Sequence, residues 1–156
     1  MAQARTLVPV EQFRESYASK KFPSYELVNG ELVGMAPPGG IHGGITAILA
    51  TALDNHVRQN RSGRVMVDTE YHLERDPDTV RSPDVSFIST ERLPSGGLPR
   101  GFVEGQPDLA VDGVSPSDTA NEVEAEVHDY LSTGTRRVWV VYYGTRRGLP
   151  ASGTVL

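Results

Sequence analysis

Two short stretches set carboxylates among strand-forming residues. They are Ser82-Pro83-Asp84-Val85-Ser86-Phe87-Ile88 and Pro107-Asp108-Leu109-Ala110-Val111-Asp112-Gly113-Val114-Ser115-Pro116-Ser117. A carboxylate beside buried apolar side chains is costly unless it is paired, hydrogen-bonded or bound to a cation. Two such segments on neighbouring strands point to a cleft for a hard divalent ion. The plainer reading makes Asp84 and Asp108 turn residues after proline. His42 sits in a loop before a helix, where its ring either points into a cleft or is an ordinary surface side chain. Glu26 and Glu31 stand near an Asn-Gly turn and face either the same cleft or solvent. Glu122, Glu126 and Asp129 recur along one stripe of a helix, where like charges repel mildly and a solvated face is the default.

Several function classes lose support at once. The chain has no cysteine, so disulfides, thiolate metal sites and a cysteine nucleophile are excluded. No Gly-rich phosphate loop of the GxGxxG or Walker type is present, and no Gly-x-Ser-x-Gly elbow. No apolar run approaches the length of a membrane span, and the N-terminus lacks a basic-then-apolar leader. A cytoplasmic location follows by default. A net charge of −5 argues against a broad nucleic-acid face but leaves room for a local one. Lysine is nearly missing: Lys20 and Lys21 are the only two, and the other basic residues are arginine.

The elements that must position these residues follow in order. At 156 residues and 38% hydrophobic content, the chain reads as one domain over residues 1–156 with a real core. Val10, Phe13 and Tyr17 fall at helical spacing, and Pro23 ends that helix. Tyr25 to Val33 alternates around Asn29-Gly30, a hairpin signal. A Pro-Gly loop leads to a helix from Gly43 to Gln59. Its stripe of Ile45, Ile48, Leu49, Ala52, Leu53, His56 and Val57 predicts a core helix. Residues 64–73 alternate as one strand with Val65, Val67, Thr69, Tyr71 and Leu73 inward. A Gly/Pro-rich loop spans residues 91–105. A helix is predicted over 118–132, with Ser117 as N-cap and Gly134 at its C-terminal end. Val138 to Tyr143 reads as a central strand, and Thr154 to Leu156 as the start of another. Helices and strands interleave, so the fold class is α/β or α+β, a mixed sheet flanked by helices.

The ordered set of motifs resembles a known family. Tyr25-Glu26-Leu27-Val28-Asn29-Gly30-Glu31-Leu32 comes first, then Pro38 to His42, then Pro83-Asp84-Val85. Pro107-Asp108-Leu109-Ala110-Val111-Asp112 with Ser115-Pro116-Ser117 follows, then Tyr130 to Gly134 and Val138-Trp139-Val140-Val141. Over residues 22–143 this resembles the Uma-two-type family, bacterial proteins similar to restriction endonucleases within the PD-(D/E)XK nuclease superfamily. The resemblance implies a restriction-endonuclease-like mixed sheet flanked by helices, often in a homodimer. It implies a divalent-metal-dependent endonuclease that hydrolyses nucleic acid, DNA first, with Mg²⁺ or Mn²⁺. Mapped residue by residue, the metal positions fall on Glu31 (or Glu26), Asp84 and Asp112, and the position of the family lysine falls on Glu126. His42 would help to place water or phosphate.

The chain departs from the pattern in ways that bear on catalysis. Asp112 stands where the resemblance implies glutamate, and its carboxylate is one methylene shorter. Gly113 replaces a β-branched residue and loosens the strand. Glu126 reverses the charge that a lysine would bring to a phosphate. Tyr142 takes the place of an aspartate after the tryptophan strand. Family members run on for further elements, so the chain reads as C-terminally truncated or divergent. Two readings therefore stand: an endonuclease with a degenerate site, or a noncatalytic relative that binds nucleic acid or a protein partner.

Overall fold

A computed structural model of the chain describes residues 7–18, 24–143 and 153–154. The side chain of Tyr17, the predicted stop at Pro23, both lysines and the end of the predicted final strand (Val155 and Leu156) lie outside the described residues. Among the described residues three α-helices, α1 (Val10–Ala18), α2 (Gly40–Asn60) and α3 (Ala120–Ser132), accompany ten strands. The strands are β1 (Tyr25–Val28), β2 (Glu31–Gly34), β3 (Gly63–Val67), β4 (Tyr71–Glu74), β5 (Thr79–Arg81), β6 (Val85–Ser89), β7 (Val103–Glu104), β8 (Leu109–Val114), β9 (Arg137–Tyr142) and β10 (Gly153–Thr154).

The single mixed sheet expected from the sequence is two five-stranded sheets, ordered β2-β1-β5-β4-β7 and β10-β9-β8-β6-β3. Each is antiparallel except for one parallel pair, β4 with β7 and β8 with β9. The predicted strand over 64–73 is broken between them. Asp68 takes a left-handed conformation at φ 45°, so β3 joins β6 in one sheet while β4 joins β5 in the other. The predicted inward face holds only in β4, where Tyr71 and Leu73 are buried. In β3 Val67 is exposed and Met66 packs on the core that Tyr71 joins, because the break lets the two strands face the core with opposite parity.

The Asn29-Gly30 hairpin forms as expected, with positive φ at both turn residues. Alternation along β1 and β5 then sorts chemistry by face. Leu27 and Val80 point towards α1 and pack with Val10, Phe13 and Phe102. Glu26 and Arg81 point the other way and meet each other. The largest core joins the two sheets: Tyr71 and Leu73 of one pack with Ile88, Ala110, Val138 and Val140 of the other, closed by Val127 and Tyr130 of α3.

Two helix expectations change. α3 starts at Ala120 with Thr119 as N-cap, not Ser117. Thr119 and Glu122 form a reciprocal capping box, which satisfies two orphan backbone groups and outcompetes the serine. α2 is no core helix. Leu49 and Leu53 pack under it against Val85, Leu109 and Val111, but Thr46 and Val57 are its only buried residues. Ile48, in the middle of the predicted stripe, is 70% exposed. The helix lies on the outside of the sheet and only one narrow edge of its apolar surface is covered. Among the described residues no helix is long and apolar enough to cross a membrane.

Candidate active site

The parallel crossover β8-α3-β9 and the start of β6 bring the predicted acids together. β6 and β8 pair antiparallel with Val85 opposite Val111, so Asp84 and Asp112 face one another at one end of the sheet. The Asp84 N–H donates to Asp112 Oδ1 at 3.2 Å, and the Gly113 N–H donates to Asp84 Oδ2 at 2.7 Å. His42 approaches from the first turn of α2 with Nε2 3.0 Å from Asp84 Oδ1. The ring is part of the helix rather than of the preceding loop, because α2 starts three residues earlier than its sequence pattern suggests. Tyr143, one residue past β9, sets its hydroxyl 3.5 Å from Asp84 Oδ2 and packs edge-to-face on His42.

A second group adjoins this one through α3. Glu126 turns inward and lines a small recess with Asp112, Gly113 and Asp118. The Glu122-Glu126-Asp129 stripe is therefore not one solvated face. Glu122 is spent on the cap, Asp129 pairs with buried Arg81, and Glu126 lies beside Asp112. Arg81 donates to Glu26 Oε2 at 2.7 Å and to Asp129 Oδ2 through Nε and Nη2 at 3.0 and 2.7 Å. The Ser82 N–H completes Glu26 at Oε1. Glu26 is the hairpin carboxylate buried beside the cluster. Glu31 lies on edge strand β2, paired with Val28 across the turn and only half-buried. The sequence could not choose between them, because the hairpin's alternation is legible but its orientation in the fold is not.

Charge in this cluster is heavily one-sided. Burial pushes the Asp112 carboxyl well above its usual value, and the neighbouring Glu126 and Asp84 add to that. Burial likewise holds Glu126 up at about 8, with Glu26 and Asp84 adding and Arg81 opposing. Glu70 is pushed up to about 7, by burial and by Glu26. Asp84 is raised by burial, tempered by the Gly113 N–H and by His42. Arg81 is the one arginine that the buried acids share, and no lysine stands among the described residues.

The donor set suits a hard cation in kind. All the donors are carboxylate oxygens, and Asp112 Oδ2 is buried without a hydrogen-bond partner. The Tyr130 hydroxyl, fully buried beside Asp112 and Glu126, is also unpartnered. As the side chains stand, no three His, Asp or Glu residues among the described ones converge as a ligand set. A bound ion would therefore complete its shell with water.

Asp108 belongs elsewhere. Burial disfavours its charge, yet the Ser89 N–H and Arg92 hold its carboxyl below the usual range. It ties the opposite end of β8 to Arg92 and Ser89. That is the structural reading of a Pro-Asp pair. Sequence reasoning missed Arg81 and Tyr143. Arg81 left a trace as a lone charge in the Thr79-Val80-Arg81 run. Tyr143 was absorbed into the apolar strand, though a glycine inside a strand, here Gly113, is the usual mark of a close approach.

Comparison with known proteins agrees with this architecture. A crystal structure of a putative nuclease belonging to DUF820 from Anabaena variabilis ATCC 29413 matches with a TM-score of 0.69. The match is at 20% identity and covers 82% of this chain and 72% of that one. At such identity the likeness concerns the fold, which is the mixed, restriction-endonuclease-like arrangement expected from the motifs. No curated protein matches the chain. The model of the Uma2 family, described as "Putative restriction endonuclease", matches residues 10–148. That match takes in the hairpin, both acidic strands and α3, and the chain belongs to the Uma2 family.

Proposed function

We propose that the cleft is a divalent-cation-dependent phosphodiesterase site acting on nucleic acid, DNA first, in a cytoplasmic setting. The observation that carries this reading is the meeting of Asp84 and Asp112 on paired strands, with the buried Asp112 Oδ2 left unpartnered. Asp84, Asp112 and Glu126 would hold Mg²⁺ or Mn²⁺, with Glu26 in place of Glu31 on the hairpin side. The ion would supply Lewis-acid polarisation of the phosphodiester and a hydroxide-like nucleophile near neutral pH. The Gly113 N–H and His42 fix the two oxygens of Asp84. Arg81 holds Glu26 and Asp129 in place. Burial and the neighbouring acids raise the Glu126 carboxyl to about 8, so an ion bound there would displace its proton. A homodimer is part of the reading. The uncovered stripe of α2, where Ile41 and Ile48 are about seven-tenths exposed, is an apolar surface of the kind that pairing buries.

Glu126 also favours a second reading, a relative that binds without cutting, because it places a carboxyl where the resemblance implies lysine. Plasmid nicking with Mg²⁺ or Mn²⁺ separates the two. The parent is expected to nick and Asp84→Ala to lose at least about 100-fold, the scale of losing electrostatic stabilisation at the reacting centre. If only Glu126→Lys nicks, the chain is a silenced nuclease. If well-folded parent and Glu126→Lys are both inert, the phosphodiesterase reading is wrong.

A further inference from the structure

Gly113 lies inside β8, paired with Val141 of β9, and a side chain there would collide with the hydroxyl and ring of Tyr143. The glycine therefore makes a seat, and the group in the seat is a phenol rather than an aliphatic chain. The atom that lies over Gly113 is the tyrosine oxygen. It points at Asp84 Oδ2, which already accepts from the Gly113 N–H at 2.7 Å. At 3.5 Å the Tyr143 contact to that oxygen is long, so the hydroxyl is not committed there. The His42 ring, at 5.3 Å between centroids and 77° between planes, fixes the tilt of the phenol. Thr46 stands beside it.

The surroundings make this donor useful. Asp84, Asp112, Glu126 and Glu26 all repel a phosphate, Arg81 is taken up by Glu26 and Asp129, and His42 faces Asp84. A neutral O–H offers a hydrogen bond without adding charge. Packing alone would ask only for the ring.

We infer that Tyr143 is a substrate-binding donor of this site: its phenolic O–H, seated over Gly113 beside Asp84, hydrogen-bonds a non-bridging oxygen of a phosphodiester. The inference rests on the phosphodiesterase reading for its catalytic consequence, but the contact can be measured without turnover. The protein is labelled with 3-fluorotyrosine, and the Tyr143 ¹⁹F resonance is identified as the one missing from Tyr143→Phe. Thymidylyl-thymidine, a bare phosphodiester, is then added with Mg²⁺, beside a control of Mg²⁺ alone. The expected result is a shift of that resonance with the dinucleotide beyond any caused by the ion alone, lost in Gly113→Ala because the methyl displaces the ring. In plasmid nicking, Tyr143→Phe keeps the ring and is expected to lose about 100-fold, as for one donor to developing charge, with the Mg²⁺ dependence unmoved. A resonance that does not respond to the dinucleotide overturns the inference, as does Tyr143→Phe nicking at the parent rate. If the parent does not nick at all, the phosphodiesterase reading fails by itself. A shifting resonance would then still establish Tyr143 as a phosphodiester contact.

Discussion

Glutamine at position 126 should flatten the pH dependence of stability. Glu126 is held at about 8 against an ordinary 4.5, chiefly by burial and then by Glu26. A carboxyl whose pKa is raised in the folded state favours folding while protonated. Its contribution is complete below about pH 4.5 and is lost as the pH climbs through about 8. At roughly 1.36 kcal/mol per pH unit the full interval would amount to about 5 kcal/mol, an upper bound. Glu26 and Asp84 share the same field, so about 2 kcal/mol assignable to Glu126 alone is the working figure. Urea unfolding of the parent and of Glu126→Gln, from pH 5 to pH 9, tests it. The two should coincide near pH 5 and diverge in favour of the variant as the pH rises. With Mg²⁺ at pH 8 the parent should regain stability, about 2.7 kcal/mol when the ion is at a hundred times its dissociation constant. Asp112→Asn should not show that gain. Parallel curves for parent and Glu126→Gln across the whole range would refute the assignment, because a group buried among like charges cannot be removed without changing the slope.

Arg81→Met should cost about 3–5 kcal/mol in the same unfolding assay, since Glu26 loses its buried partner. Adding Glu26→Gln to that variant should recover part of the loss, and full additivity would show that the pair does not couple. Asp108→Ala should cost about 2–3 kcal/mol by leaving the Ser89 N–H and Arg92 unpaired. Asp108 has a lowered pKa, so that contribution is present above its ordinary 3.8 and fades as the pH falls through the folded value. Calorimetric Mg²⁺ affinity should be the same in Asp108→Ala as in the parent, and a lost affinity would place Asp108 in the cleft.

The Asn29-Gly30 hairpin, the amphipathic stripe of α3 and the β9 strand were legible because each is a local signal with its own stereochemistry. The Pro-Asp segments and their order along the chain sufficed for the family. Which carboxylates work together was another matter. Asp84 and Asp108 look alike in sequence, each an aspartate after proline at the head of a strand. Strand pairing sends one to Asp112 and the other to Arg92. Glu26 and Glu31 differ only in which side of a turn they occupy, and the choice was made by Arg81 arriving on the neighbouring strand. Glu126 read as solvent-facing because helical periodicity cannot tell an open stripe from one laid against a second acidic group. Tyr143 reads as one more residue of an apolar run until β8 and β9 pair and Gly113 leaves it a seat. Local chemistry is written along the chain; which charge meets which is a long-range relation, and only the paired sheets and the α3 crossover decide it.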